Sequence, residues 1–180
     1  MLGLKRILLA LAALAVLLLV IGFALPSAFK VERSIEINAP MARVYPLVYD
    51  PKAWTRWGIW YRRDPGMTLS YSGPPAGVGA KWSWQSAAEG RGDMEITTAD
   101  FDKRVAYKIG FPDYESMATG RLDFAKLSNP EKGVRVTWTA EGDMGANPVK
   151  RYVAAAMDRM LGPDFEGGLK NLKELAERPE

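Results

Sequence analysis

The chain has 180 residues, 48% hydrophobic and 25% charged, with no cysteine and no histidine. That composition excludes disulfide frameworks, thiolate zinc sites, iron–sulfur clusters, cysteine nucleophiles, Ser-His-Asp triads and imidazole-bound metals. Lys5 and Arg6 stand apart at the N-terminus, and the rest of the chain holds 22 basic against 21 acidic residues. So even a balance gives no basic face for nucleic acid, despite a pI of about 9.1.

Ile7 to Leu25 is a run of nineteen residues with no charge and no strongly polar group. As a helix rising about 1.5 Å per residue it extends roughly 28 Å, close to the hydrocarbon thickness of a bilayer. Lys5 and Arg6 precede it, which by the positive-inside rule leaves the N-terminus cytoplasmic and exports everything after Leu25 to the periplasm or exterior. A cleaved signal peptide is the competing reading. The run is longer than a signal's apolar region, and the available exits put Leu or Pro three residues before the cut, so a single-pass transmembrane anchor over residues 1–28 is preferred. Residues 29–180 then form one domain, large enough for a real core.

Alternation marks the strands. Val31, Arg33, Ile35 and Ile37 share a face against Glu32, Ser34 and Glu36. Two short helices follow: one after Ala39-Pro40, where Pro46 predicts a kink or early end, and one opened by Asp50-Pro51 and running through Trp57. A weak strand at Thr68 to Ser72 precedes the turn-rich stretch from Gly73 to Ala80. Further alternations carry Trp82 and Trp84, then Met94 and Ile96, then Val105, Tyr107, Ile109 and Phe111. Leu122 and Phe124 come next, and Val134, Val136 and Trp138 oppose Arg135, Thr137 and Thr139. One apolar and one polar face per strand describes an antiparallel sheet covered on a single side. The cover is the last helix, with apolar steps from Val149 to Leu175 and an expected bend at Gly162-Pro163 and Gly167-Gly168.

Several stretches in this order resemble the SRPBCC or START-like (Bet v 1-like) superfamily, in particular its polyketide cyclase/dehydrase branch. They are Arg33 to Pro40, Val44 to Asp50, Trp54 to Trp57, Tyr71 to Pro74 with Gly77 to Ala80, Val136 to Thr139, and Leu161 to Phe165 with Leu169 to Lys173. The likeness spans about residues 30 to 177. It implies an α+β helix-grip fold: a curved seven-stranded antiparallel sheet, two short helices and a long C-terminal helix, with an apolar cavity between sheet and helix. The inward wall would be Trp82, Trp84, Met94, Ile96, Tyr107, Ile109, Phe124 and Trp138, faced by Tyr152, Met157 and Met160. Such a surface suits an apolar ligand, since methionine adapts its shape and aromatic rings add area at small entropic cost. Packing of the same side chains into a filled core is the plain alternative.

Trp54, Trp57, Trp60 and Tyr61 are interleaved with Arg56, Arg62 and Arg63, a composition that fits a core plug, a cavity entrance or a membrane contact. Arg33, with its strand in register, faces inward near one end and could anchor a carboxylate or phosphate head group, although a strand-end Arg reaching solvent is the preferred reading. Asp93, Glu95 and Glu141 point outward with Thr137 and Thr139, and no Gly-rich phosphate loop or GxSxG elbow occurs, so no catalyst, metal site or cofactor is nominated. The expected function is binding of a hydrophobic small molecule or lipid by a membrane-tethered domain. A cyclase/aromatase-like enzyme and an envelope interaction domain with a filled core remain the alternatives, and protein partners are not indicated.

Overall fold

The computed structural model describes residues 2–114, 116–128 and 133–179. Helix α1 (Leu2–Ala24) carries the apolar run and is exposed along nearly its whole length. Its Gly3–Ala24 segment is long and apolar enough to cross a membrane. Strand β1 (Ala28–Ile37) follows, then α2 (Met41–Tyr49), a 3-10 turn (Pro51–Ala53) and two short helices, α3 (Trp54–Trp57) and α4 (Ile59–Arg63). Strands β2 (Thr68–Ser72), β3 (Lys81–Ser86), β4 (Gly90–Asp100), β5 (Arg104–Phe111), β6 (Ser116–Lys126) and β7 (Val134–Asp143) come next, and α5 (Pro148–Ala176) closes the chain. Among the described residues the seven strands make one antiparallel sheet in the order β1-β7-β6-β5-β4-β3-β2. This is the expected helix grip.

Local chemistry explains the element ends. Asp50 Oδ1 accepts the Lys52 N–H at 2.8 Å ahead of Pro51, the cap read from the sequence. Asn147 caps α5 through the Val149 N–H at 2.9 Å, with Pro148 in the first turn. Helix α2 continues through Pro46 for one more turn before ending at Tyr49. Helix α5 runs without interruption through the stretch where a bend was expected. Gly162, Gly167 and Gly168 lie within one continuous helix and serve close packing instead: a Cβ on Gly162 would meet Arg33 Nη2 at 2.1 Å, and one on Gly168 would meet Trp138 at 3.0 Å.

The outer face of the sheet carries directly opposed ion pairs, among them Arg135–Glu36 at 2.6 Å and Lys81–Glu95 at 3.2 Å. Thr139, expected on an open polar face, is fully buried there, its hydroxyl donating to Glu32 Oε2 at 3.1 Å. On the inner face, rings lie flat over glycines of the strand directly opposite. Trp84 covers Gly92, Tyr107 covers Gly120 and Phe29 covers Gly142, leaving 2.0, 2.1 and 2.6 Å to where a Cβ would stand. Each glycine is the room a ring occupies.

Gly120→Ala therefore places a methyl inside the buried Tyr107 ring. A small backbone-entropy gain is outweighed, and the full chain should lose about 1–3 kcal/mol in denaturant unfolding. An unchanged midpoint would refute the ring-over-glycine account.

Candidate ligand-binding site

The inner face reads as cross-sheet rows. One row runs Arg33, Trp138, Leu122 and Val105; the next runs Val31, Ala140, Gly120, Tyr107 and Ile96. Between these rows and the C-terminal half of α5 the space is filled. Trp138 stacks on Phe165 with centroids 4.1 Å apart and planes within 7°. Trp54 meets Trp57 at 4.6 Å, Trp82 at 5.5 Å and Trp138 at 5.7 Å, and all four indoles are at most 1% exposed. Every indole N–H in the cluster has an acceptor. Trp54 and Trp57 donate to the carbonyls of Val48 and Leu47 at 2.7 and 2.8 Å. Trp138 donates to Tyr107 Oη at 2.8 Å and Trp82 to Tyr61 Oη at 3.2 Å. Ile96, Met94 and Phe124 complete this buried core.

The other end of the grip is different. The next row runs Phe29, Gly142, Ala118, Ile109, Met94 and Trp82, of which Met94 and Trp82 are buried core, and beyond it lie Phe111 and Trp84. Phe29, Ala118, Ile109, Phe111 and Trp84 are only half-buried, as are Met157 and Leu161 in the N-terminal half of α5. Small residues, Ala118 and Gly142, stand mid-row at this end. An open depression of about 390 Å³ next to them, lined by Lys108, Met117, Thr119, Glu141 and Asp143, lies on the outer face of the sheet and not in the grip. A second depression, of about 240 Å³, lies over β2, β3 and β4.

The expected wall residues thus divide. Trp54, Trp57, Trp82, Met94, Ile96, Tyr107, Phe124 and Trp138 are core, while Trp60, Trp84, Ile109 and Met157 sit at partly covered positions. Trp60 closes an edge by donating to Asp164 Oδ2 at 2.9 Å. Met160, expected to face the sheet, is 58% exposed on the outer side of α5. Tyr152 faces α1, donating its hydroxyl to the Leu18 carbonyl at 2.6 Å. Arg33 does face inward but is not a free anchor. Its guanidinium lies over Gly162 and pairs with Asp158 at 2.7 Å and Glu166 at 2.6 Å, three positions spaced one helical turn apart. The clamp was not legible beforehand, because it depends on which face of α5 meets β1.

Electrostatics at the filled end favours neutral groups. Burial pushes the Tyr107 phenol far above its ordinary value and that of Tyr61 up to about 12, with the indole N–H donors pulling back slightly. Asp158 is held below the usual carboxylate range, chiefly by its hydrogen bond from Arg33. The raised phenol values mean that the folded state holds protons the unfolded chain releases. Their contribution is whole below the ordinary tyrosine value of 10.0 and is lost as pH rises toward 12. The denaturant midpoint of the full chain should therefore fall above pH ~10, and Tyr61→Phe should flatten that fall. At neutral pH Tyr107→Phe strands the buried Trp138 N–H, at a cost of about 1–3 kcal/mol.

The architecture just described is that of the SRPBCC/START-like (Bet v 1-like) superfamily. A family model described as polyketide cyclase / dehydrase and lipid transport matches residues 28–177, and the chain belongs to that family. Solved structures agree on the fold. The chain is similar to norcoclaurine synthase from Thalictrum flavum, solved in complex with dopamine and hydroxybenzaldehyde, at 11% identity and TM-score 0.64, covering 89% of this chain and 94% of that one. It is similar to protein CV1439 from Chromobacterium violaceum at 22% identity and TM-score 0.58, covering 86% and 100%. It also resembles the di-domain ARO/CYC BexL of the BE-7585A biosynthetic pathway at 18% identity and TM-score 0.57, covering 86% of this chain and 52% of that one. No curated protein matches the chain.

Proposed function

We propose that residues 29–180 form an exported domain on a membrane anchor, residues 1–28, and that the domain binds an apolar small molecule or lipid chain in the half-open end of its grip. The observation that carries this is the contrast between the two ends of one interior. Four interlocked indoles fill one end, whereas Phe29, Ala118, Ile109, Phe111 and Trp84 stay half-exposed at the other. Apolar side chains left half-covered beneath a helix gain from a ligand that completes their burial, at roughly 25 cal/mol per Å².

The family's description, which includes lipid transport, supports the ligand class. Position supports the link to the membrane: Phe29 lies four residues after Leu25, and the Met144 N–H donates to the Ser27 carbonyl at 2.9 Å, so the half-open end is the end at which the chain leaves α1. An apolar ligand held in the bilayer meets this end first. Lys108, Thr119 and Glu141 point to the outer face of these strands, so the inward side of the half-open end is apolar, which favours binding over acid–base chemistry.

Trp fluorescence of the full chain in lipid nanodiscs should change saturably with fatty acids or flat polycyclic probes, and native mass spectrometry should detect retained lipid. Ala118→Trp fills the open end, so it should weaken that response about tenfold or more while leaving the unfolding midpoint nearly unchanged. A wild-type protein with no retained lipid and no saturable response would overturn ligand binding and leave an interaction domain with a filled core.

A further inference from the structure

The two edges of the sheet are built differently. At β1, α5 packs along the strand and side chains close the edge. Arg33 Nη1 donates to the Glu32 carbonyl at 2.9 Å, Lys173 Nζ donates to the Glu36 carbonyl at 2.6 Å, and Glu177 Oε1 accepts the Asn38 N–H at 2.6 Å. An incoming strand would have to displace these charged groups.

Strand β2 has none of this. Among the described residues the backbone of Thr68–Ser72 pairs with β3 alone, and no helix packs along it. Every second residue therefore points its N–H and C=O past the edge of the sheet. Thr68, Leu69, Ser70, Tyr71 and Ser72 carry no charge, and the strand holds no proline, glycine or bulge. Those are devices by which natural edges refuse a partner. Pro65 and the Gly73-Pro74-Pro75 turn limit the free stretch to five residues.

The two faces of β2 differ. Leu69 and Tyr71 stand opposite Trp84 and Trp82 on the inner face, and they end the apolar rows incompletely covered, Leu69 half-buried and Tyr71 39% exposed. Thr68, Ser70 and Ser72 present hydroxyls on the outer face and are exposed. Polar and large apolar residues thus alternate symmetrically about Ser70. Turned about that residue and laid antiparallel on itself, the strand sets Ser70 against Ser70, Leu69 against Tyr71 and Thr68 against Ser72. Aromatic–aliphatic and hydroxyl pairs across strands are stabilising, and no charge is opposed. Because β1 is closed, β2 cannot meet the β1 edge of the next molecule, the head-to-tail contact that would build an open fibre. A β2–β2 contact is self-complementary and closes at two copies.

We propose that two copies of the chain associate through β2, antiparallel about Ser70, and join their sheets into one. The inference uses neither the anchor nor the ligand reading and stands or falls apart from them. Five residues a side make a small contact, so association is weak and grows with local concentration.

The chain has no cysteine, so introduced thiols report neighbours without background. The full chain in detergent micelles is oxidised with copper phenanthroline and the disulfide-linked dimer is measured. Directly opposed residues of antiparallel strands lie about 4.5–5.5 Å apart at Cα, within disulfide reach. Ser70→Cys should give at least about tenfold more linked dimer than Ser34→Cys, an exposed serine in the closed β1 edge. Ser72→Cys alone should give little, whereas Ser72→Cys mixed with Thr68→Cys should match Ser70→Cys. In sedimentation, Ser70→Lys should weaken self-association about tenfold by opposing like charges at the two-fold axis. An equimolar mixture of Ser70→Lys and Ser70→Glu should restore it, with unfolding midpoints close to wild type. Linking that is absent, or equal at Ser70→Cys, Ser72→Cys and Ser34→Cys, would overturn the pairing, as would self-association that Ser70→Lys leaves unchanged. A Ser70→Cys adduct with another protein in the expressing membranes, in place of the homodimer, would overturn the second copy as occupant.

Discussion

The stack of Trp138 on Phe165 joins the two layers of the grip, and most of the interior is arranged around it. The indole presents one face to α5, an edge to Trp57 and Trp60 at 5.3 and 5.8 Å, and its N–H to Tyr107. Gly168 gives α5 the clearance to approach that ring. Tyr107 in turn can reach Trp138 only because Gly120 leaves its ring somewhere to lie. Remove any member and the others lose geometry as well as area, which is why contributions here are coupled and not additive.

Arg33 provides the second joint, and it differs in kind. Its pairs with Asp158 and Glu166 are largely at the surface, where an ion pair adds little stability on its own. What the clamp supplies is register: Asp158, Gly162 and Glu166 are successive turns of one helical face, so α5 cannot slide along β1 without losing both partners and colliding with the guanidinium. Stacking holds the layers together, and the guanidinium fixes where along the strand they meet.

Element order and inward faces were legible in the sequence because period-two alternation is a local signal, and nearly every strand carried it. The packing role of the α5 glycines was hidden for the opposite reason. Gly162, Gly167 and Gly168 carry the local signal of a helix break, yet their use is set by Arg33, Ile59 and Trp138, which lie far away in the chain. Thr139 misled in the same way: alternation put it outward correctly, but its burial depends on Glu32 arriving from a neighbouring strand. Met160 shares the apolar spacing of α5 without sharing its buried side, since a stripe can face lipid or solvent as readily as a core. The division of the candidate site into a filled and a half-open end depends on ring orientation, which composition does not encode.

The uneven interior also follows from a stability argument. With no cysteine, residues 29–180 have no covalent staple, so the fold depends on packing alone. A dry void costs on the order of 24 cal/mol per Å³, so an empty pocket of about 100 Å³ in the centre would cost about 2.4 kcal/mol, a large share of a domain's typical stability. Filling the centre with indoles avoids that cost, since each aromatic side chain buries about 150–250 Å². Space is cheapest at the rim, where half-exposed groups are already partly hydrated and the neighbouring lattice of contacts is sparse. In this chain the rim that stays open is the one beside the exit from α1. The proposed ligand would complete there a burial that the folded chain leaves unfinished, without asking the core to hold a vacancy when no ligand is bound.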